Sequence, residues 1–154
     1  MPSVLALHRC IARGRFGVWL FSRLVCFKAP YFATINPRID VLEPHRCEAV
    51  IEDRRRIRNH IGTVHAIALC NLAELVGGLM TDASIPKSTR WIPKGMQVTY
   101  VKKAVGRLRG MATPEFAPPD SGVGYELPVN VQVRDRADEV VFRARITMWV
   151  SPRH

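Results

Sequence analysis

Between Arg58 and Asp82 the chain carries a single charged residue, Glu74, in a stretch that is otherwise largely apolar. Val64, Ala66, Ile67, Ala68, Leu69, Cys70, Leu72, Ala73, Leu75, Val76, Leu79 and Met80 fall on nearly every face of a helix. A helix that is apolar all round is a buried helix. The rest of the chain must therefore surround it. At 154 residues the chain is long enough to do so as one domain with its own core. Thr63 stands where it can cap the helix start, and Gly77 and Gly78 leave room near the end for another backbone or a ligand.

The flanking segments supply the surround. Residues 3–28 have helical spacing of apolar positions, divided by Gly14 and Gly17 and ended by Pro30. Residues 32–53 read as two strands about the turn Glu43-Pro44-His45. From Pro93 onward the period is two. Strands are expected over residues 97–102, 105–113, 129–134 and 140–150, with a Pro- and Gly-bearing loop at 114–124. The expected fold is α+β, an antiparallel sheet wrapped around one central helix, with an extra N-terminal helix. Residues 1–30 form an N-terminal helical extension in this reading, and 31–154 the main domain.

Composition narrows the partners. Hydrophobic residues make up 47% and charged residues 23%, which excludes general disorder. The net charge is +10, and residues 1–39 hold six basic residues and no acid. Such a balance suits nucleic acid, anionic lipid or a phosphorylated small molecule. The N-terminal helix either packs its apolar side on the domain or lies on a membrane surface. Phe16, Trp19, Phe21 and Phe27 form no single clean stripe, which favours packing. No aromatic pattern makes a stacking platform, so nucleic acid is not expected. Cys10, Cys26, Cys47 and Cys70 are widely spaced, as in reduced thiols of a reducing compartment. No apolar run reaches the ~20 residues of a membrane span. Charged residues interrupt any secretory signal, so the expected location is the cytoplasm.

The chemistry centres on Glu74. A carboxylate in an apolar helix either pairs with a cation or does work. The start of the same helix presents free N–H groups and the positive end of a dipole, which stabilise an oxyanion. Asn59, just before it, can orient a water or hold a carbonyl. His65 lies in the first turn, as a core histidine or a catalyst. An oxyanion site, a base and a positioned water are the parts of acyl transfer to water.

The pattern Asn59-x-x-Gly62-x-x-His65-Ala66, followed by Leu72-Ala73-Glu74, resembles the motif of hotdog-fold thioesterases of the phenylacetate-pathway type. With Ala after His and Glu as the acid, it looks closer still to the DUF4442 group. The resemblance covers roughly residues 32–150. It implies that the Ala66 N–H polarises a thioester carbonyl and that Glu74 acts as general base or nucleophile. Glu74 would often act across a dimer interface. Asn59 and His65 would position substrate or water. Ala66 stands where the family commonly has glycine. His60, Gly62, Thr63, Gly77 and Gly78 are candidate substrate contacts. The Arg54–Arg58 run is either a solvated strand end or a contact for coenzyme A phosphates.

The expected function is hydrolysis of an acyl-CoA or related pantetheine thioester. Coenzyme A would enter only as part of the substrate, with no separate cofactor and no metal. The resemblance further implies a homodimer or a dimer of dimers. Two alternatives share the fold: a β-hydroxyacyl dehydratase or hydratase, and a non-catalytic acyl-thioester-binding module. His60 and Glu74 have a dehydratase-like separation, but the Gly/Pro-rich stretch between the pair is absent.

Overall fold

A computed structural model describes residues 3–153. The outer ends of both expected segments, residues 1–2 and 154, lie outside the described residues. The described residues include three α-helices: α1 (Val4–Ile11), α2 (Gly14–Lys28) and α3 (Ala66–Ser84). Six strands complete the fold: β1 (Arg38–Glu43), β2 (Arg46–Ile51), β3 (Thr89–Tyr100), β4 (Leu108–Pro114), β5 (Tyr125–Arg134) and β6 (Val140–Pro152). They form one antiparallel sheet in the order β1-β2-β4-β5-β6-β3. This is the α+β layout expected from the sequence, with α3 at the centre.

The core follows from strand alternation. Leu127, Val129, Val131 and Val133 of β5 are buried, as are Phe142, Ala144, Ile146, Met148 and Val150 of β6. They meet Leu72, Ala73, Val76 and Met80 of α3 in one cluster. Small residues set the spacing. A Cβ on Gly77 would lie 3.0 Å from Ile146 Cδ1, and one on Gly110 would lie 2.9 Å from Leu72 Cγ. Glycine at both positions lets the helix settle directly on the sheet. α3 is apolar and long enough to cross a membrane by composition alone, although no such run was expected. In this fold the sheet covers most of it.

The helical extension is jointed as the two glycines require. Gly14 takes φ +65° at the joint, a conformation that favours glycine. At Gly17 a Cβ would lie 2.0 Å from the Ile11 carbonyl oxygen. α1 and α2 therefore cross in close contact, and His8 stacks edge-on against Phe21 at 4.8 Å.

Three expectations change. Residues 30–35 form a 3-10 helix, with Pro30 at its start, although strand was expected from residue 32. Asn71 of α3 holds that segment by donating to Thr34 Oγ1 (3.0 Å) and the Tyr31 carbonyl (3.4 Å). β3 starts at Thr89, eight residues before the expected strand, because a bulge between Pro93 and Gly95 absorbs the proline. Finally, α3 is not buried on every side. Ile67 and Glu74 are exposed and Cys70 is half-buried. These three residues lie at helical spacing on one line, which the sheet leaves open.

Candidate active site

The turn that leads into α3 is built around Asn59. Its Oδ1 accepts from the backbone N–H groups of Ile61 and Thr63, each at 3.1 Å. Its Nδ2 donates to Thr63 Oγ1 at 2.8 Å. The Asn59 N–H donates to the Thr63 carbonyl at 2.9 Å. Gly62 takes φ +80° inside the loop so closed. Val64 N–H then donates to the Ala104 carbonyl, and His65 N–H to that of Ile57. Asn59 thus spends most of its amide on shaping the turn.

His65, not Thr63, caps the helix. Its Nδ1 accepts from the Ile67 N–H at 3.1 Å, while its backbone has the extended geometry of a cap. The His65 carbonyl takes the N–H groups of Ala68 and Leu69. The Ala66 N–H has no acceptor among the described residues. One donor is therefore left open at the positive end of a 19-residue helix. His60 is exposed on the same turn, and its side chain bonds to no described residue.

A buttress fixes this turn to the sheet. Asp53 Oδ1 accepts from Arg58 Nε at 2.6 Å, and its Oδ2 from the Gly106 N–H at 3.0 Å. Burial of the Asp53 carboxyl pushes its pKa up. The Arg58 guanidinium and the Gly106 N–H outweigh that and hold it below the usual carboxylate range. Arg58 is thus tied down, while Arg54, Arg55 and Arg56 stay exposed and unpaired among the described residues.

Glu74 occupies a different place. It is exposed in the protomer and has no ion pair among the described residues, contrary to the buried carboxylate expected. No desolvation has to be compensated there, because the line Ile67–Cys70–Glu74 faces outward. Beside this line runs β3, an edge strand paired only with β6. Cys70 Sγ lies 3.4 Å from the Tyr100 hydroxyl, whose pKa is pushed up to about 12 by that contact and by burial. Ile92, Val98 and Tyr100 are exposed along the same strand, and Val101 just beyond its end.

Glu74 also edges an apolar cavity of about 310 Å³, lined in part by Val25, Phe32, Gly78, Leu79 and Trp91. A Cβ on Gly78 would lie 2.7 Å from Trp91 Cη2, so glycine lets the edge of the indole approach α3 closely. Gly77 points the other way, at Ile146, and has no access to the cavity. Of the two glycines only Gly78 stays a candidate substrate contact. No short-range pattern links Phe32 and Trp91 to Glu74, so sequence reasoning missed the cavity.

The distance between the two halves is fixed by helix geometry. Ala66 and Glu74 are eight residues apart, about 12 Å along the axis. One chain brings Asn59, Gly62, Thr63, His65 and Ala66 together, and leaves its own Glu74 two turns away.

The sequence profile of the family described as Domain of unknown function (DUF4442) matches residues 17–150. The chain belongs to the DUF4442 family. A structural-genomics crystal structure of unstated function is 43% identical to this DUF4442 protein, covering 97% of this chain and 98% of the other with TM-score 0.83. A Pseudomonas aeruginosa protein described as of unknown function, "Probable Thioesterase", is 25% identical. It covers 86% of this chain and 93% of its own, with TM-score 0.74. A Haemophilus influenzae thioesterase is 15% identical with TM-score 0.73, covering 84% and 87%, and shares the fold. No protein of curated function matches this DUF4442 chain. The sheet-wrapped helix is the hotdog fold.

Proposed function

We propose that this protein is a thioesterase that hydrolyses an acyl-CoA or another pantetheine thioester, with each active site shared between two protomers. The observation that carries the reading is the open Ala66 N–H at a capped helix start, together with an exposed Glu74 about 12 Å further along the same helix, too far to reach it. A second copy supplies the missing half. The bare β3 edge, with Ile92, Val98 and Tyr100, is where that copy would dock. The thioesterase descriptions of two structural relatives support the reaction class.

The Ala66 N–H of one chain donates to the thioester carbonyl oxygen and stabilises the oxyanion as water adds. Glu74 of the second chain takes a proton from that water as its oxygen bonds to the carbonyl carbon. The tetrahedral intermediate collapses, the C–S bond breaks, and the proton passes from Glu74 to the departing sulfur. The products are a carboxylic acid and a thiol. As a nucleophile, the Glu74 carboxylate would instead bond to the carbonyl carbon and break the C–S bond, so that the thiolate leaves and takes a proton from water, and a second water then hydrolyses the resulting anhydride. The exposed Arg55 and Arg56 offer cations for coenzyme A phosphates beside the turn. A reducing, cytoplasmic setting fits a coenzyme A substrate.

Thiol release from a panel of acyl-CoA substrates tests this. Glu74→Gln should lower kcat by about 10²–10⁴-fold with little change in stability. Full activity in that variant removes Glu74 from the mechanism. Tight acyl-CoA binding with no turnover by the wild type makes the protein a binding module instead. Release of water from a hydroxyacyl thioester makes it a dehydratase.

A further inference from the structure

The outer face of α2 is not accounted for by the fold or by the proposed site. Gly17, Phe21, Ser22 and Cys26 form its buried side. The opposite side carries Phe16, Trp19, Leu20, Leu24 and Phe27, which fall within one arc at 3.6 residues per turn. Phe16 is 73% and Phe27 87% exposed, and Tyr31, one turn beyond, is 66% exposed. The aromatic residues that made no clean stripe in the sequence do so once the buried Phe21 is set apart. A helix that is apolar on both sides is normally covered on both.

The charges around this face say what covers it. Arg13 and Arg15 lie at the start of α2 and Lys28 at its end, all exposed and in no ion pair among the described residues. Arg54 lines the same groove as Trp19. Arg23, within the arc, bonds to Asn36 and to the Pro37 carbonyl, so its cation meets no carboxylate. Neither α1 nor α2 contains an acid, and the first in the chain, Asp40, is engaged by Arg38 at 2.6 Å. Self-pairing of this face would bring two sets of unpaired cations together with no acid on either helix.

We propose that the outer face of α2 is a docking surface for an anionic lipid membrane. Phe16, Trp19, Leu24 and Phe27 enter the boundary between headgroups and acyl chains, and Arg13, Arg15, Lys28 and Arg54 meet lipid phosphates. Trp19 and Tyr31 have the amphipathic rings that favour this depth. Three of the six cations before residue 40, Arg13, Arg15 and Lys28, then have a partner of opposite sign. The proposal does not depend on the reaction the protein catalyses.

Vesicle co-sedimentation tests it, using the whole chain with phosphatidylcholine vesicles and with vesicles containing about one third phosphatidylglycerol. The wild type should sediment with the anionic vesicles, remain largely free with the neutral ones, and detach as salt rises to about 1 M. The emission of Trp19, isolated by comparison with Trp19→Phe, should shift to the blue on binding. The double variant Phe16→Ser/Phe27→Ser should bind at least about tenfold more weakly while keeping the wild-type circular dichroism. Arg13→Glu/Arg15→Glu should weaken binding by a similar factor. Salt-independent or absent binding by the wild type overturns the proposal, and needs no variant to be read. So does a Phe16→Ser/Phe27→Ser protein that binds as the wild type does. If that variant is a smaller assembly than the wild type in lipid-free buffer, a second copy covers the face and the proposal fails.

Discussion

Asn59 shows how far a residue type can be read without coordinates. An asparagine before a helix start marks a place where carbonyls and waters can be held, and the sequence places it in the site. The structure gives its amide a structural task, with three side-chain hydrogen bonds inside its own turn. Asn59→Ala should therefore cost about 1–3 kcal/mol of stability, measurable by urea denaturation, and lower kcat with it. Asn59→Asp keeps both acceptor bonds and loses only the donor, so it should cost less. Gly78 teaches the opposite lesson. Two adjacent glycines look alike in sequence, yet one faces Ile146 and the other Trp91. Gly78→Ala should push the indole off α3 and cost about 1–3 kcal/mol by overpacking, visible as a shift in tryptophan emission and a lower Tm.

Periodicity made most elements legible. The alternating valines of β5 and the long run of β6 stand where alternation puts them, because each strand has one face on α3 and one away from it. Elements were misread where a local bond overrides the pattern. Tyr31, Phe32, Thr34 and Ile35 have strand-like side chains, but Pro30 and the bonds from Asn71 curl them into a 3-10 turn. Thr63 is a good cap by type, yet Asn59 takes its hydroxyl and His65 caps instead. The α1–α2 joint carries its own pH dependence. His8 packs on Phe21, its Nε2 buried without a partner, and burial lowers its pKa despite the opposing effect of Glu43. The folded state therefore binds that proton less readily than the unfolded chain. Its stabilisation is complete above the ordinary histidine pKa of about 6.5 and declines as pH falls below it. Hydrogen-exchange protection in α1, taken relative to the intrinsic rate at each pH, should fall between about pH 6.5 and 5, and His8→Phe should flatten that response.

At the scale of the whole molecule, the sheet, α1 and the 3-10 segment cover most of α3, and the line they leave open carries Glu74. The sequence showed a lone carboxylate in an apolar helix and suggested burial. One protomer leaves it bare, because a helix wrapped by a single six-stranded sheet keeps an open side. The two halves of the site were legible as motif residues. Their separation was not, until the helix start was fixed at Ala66 and its axis could be measured out to Glu74. The central claim is that catalysis joins Ala66 of one chain to Glu74 of another. Ala66→Pro removes the N–H at a helix position where proline fits, after a residue already extended, so it deletes the donor with little effect on the fold. Glu74→Gln deletes the carboxylate. Each variant alone should be inactive towards acyl-CoA. Co-expressed in equal amounts as one mixed population, the two should recover about one quarter of wild-type activity, since half the dimers then carry one intact site. No recovery from a population shown to contain mixed dimers would contradict a site shared between chains.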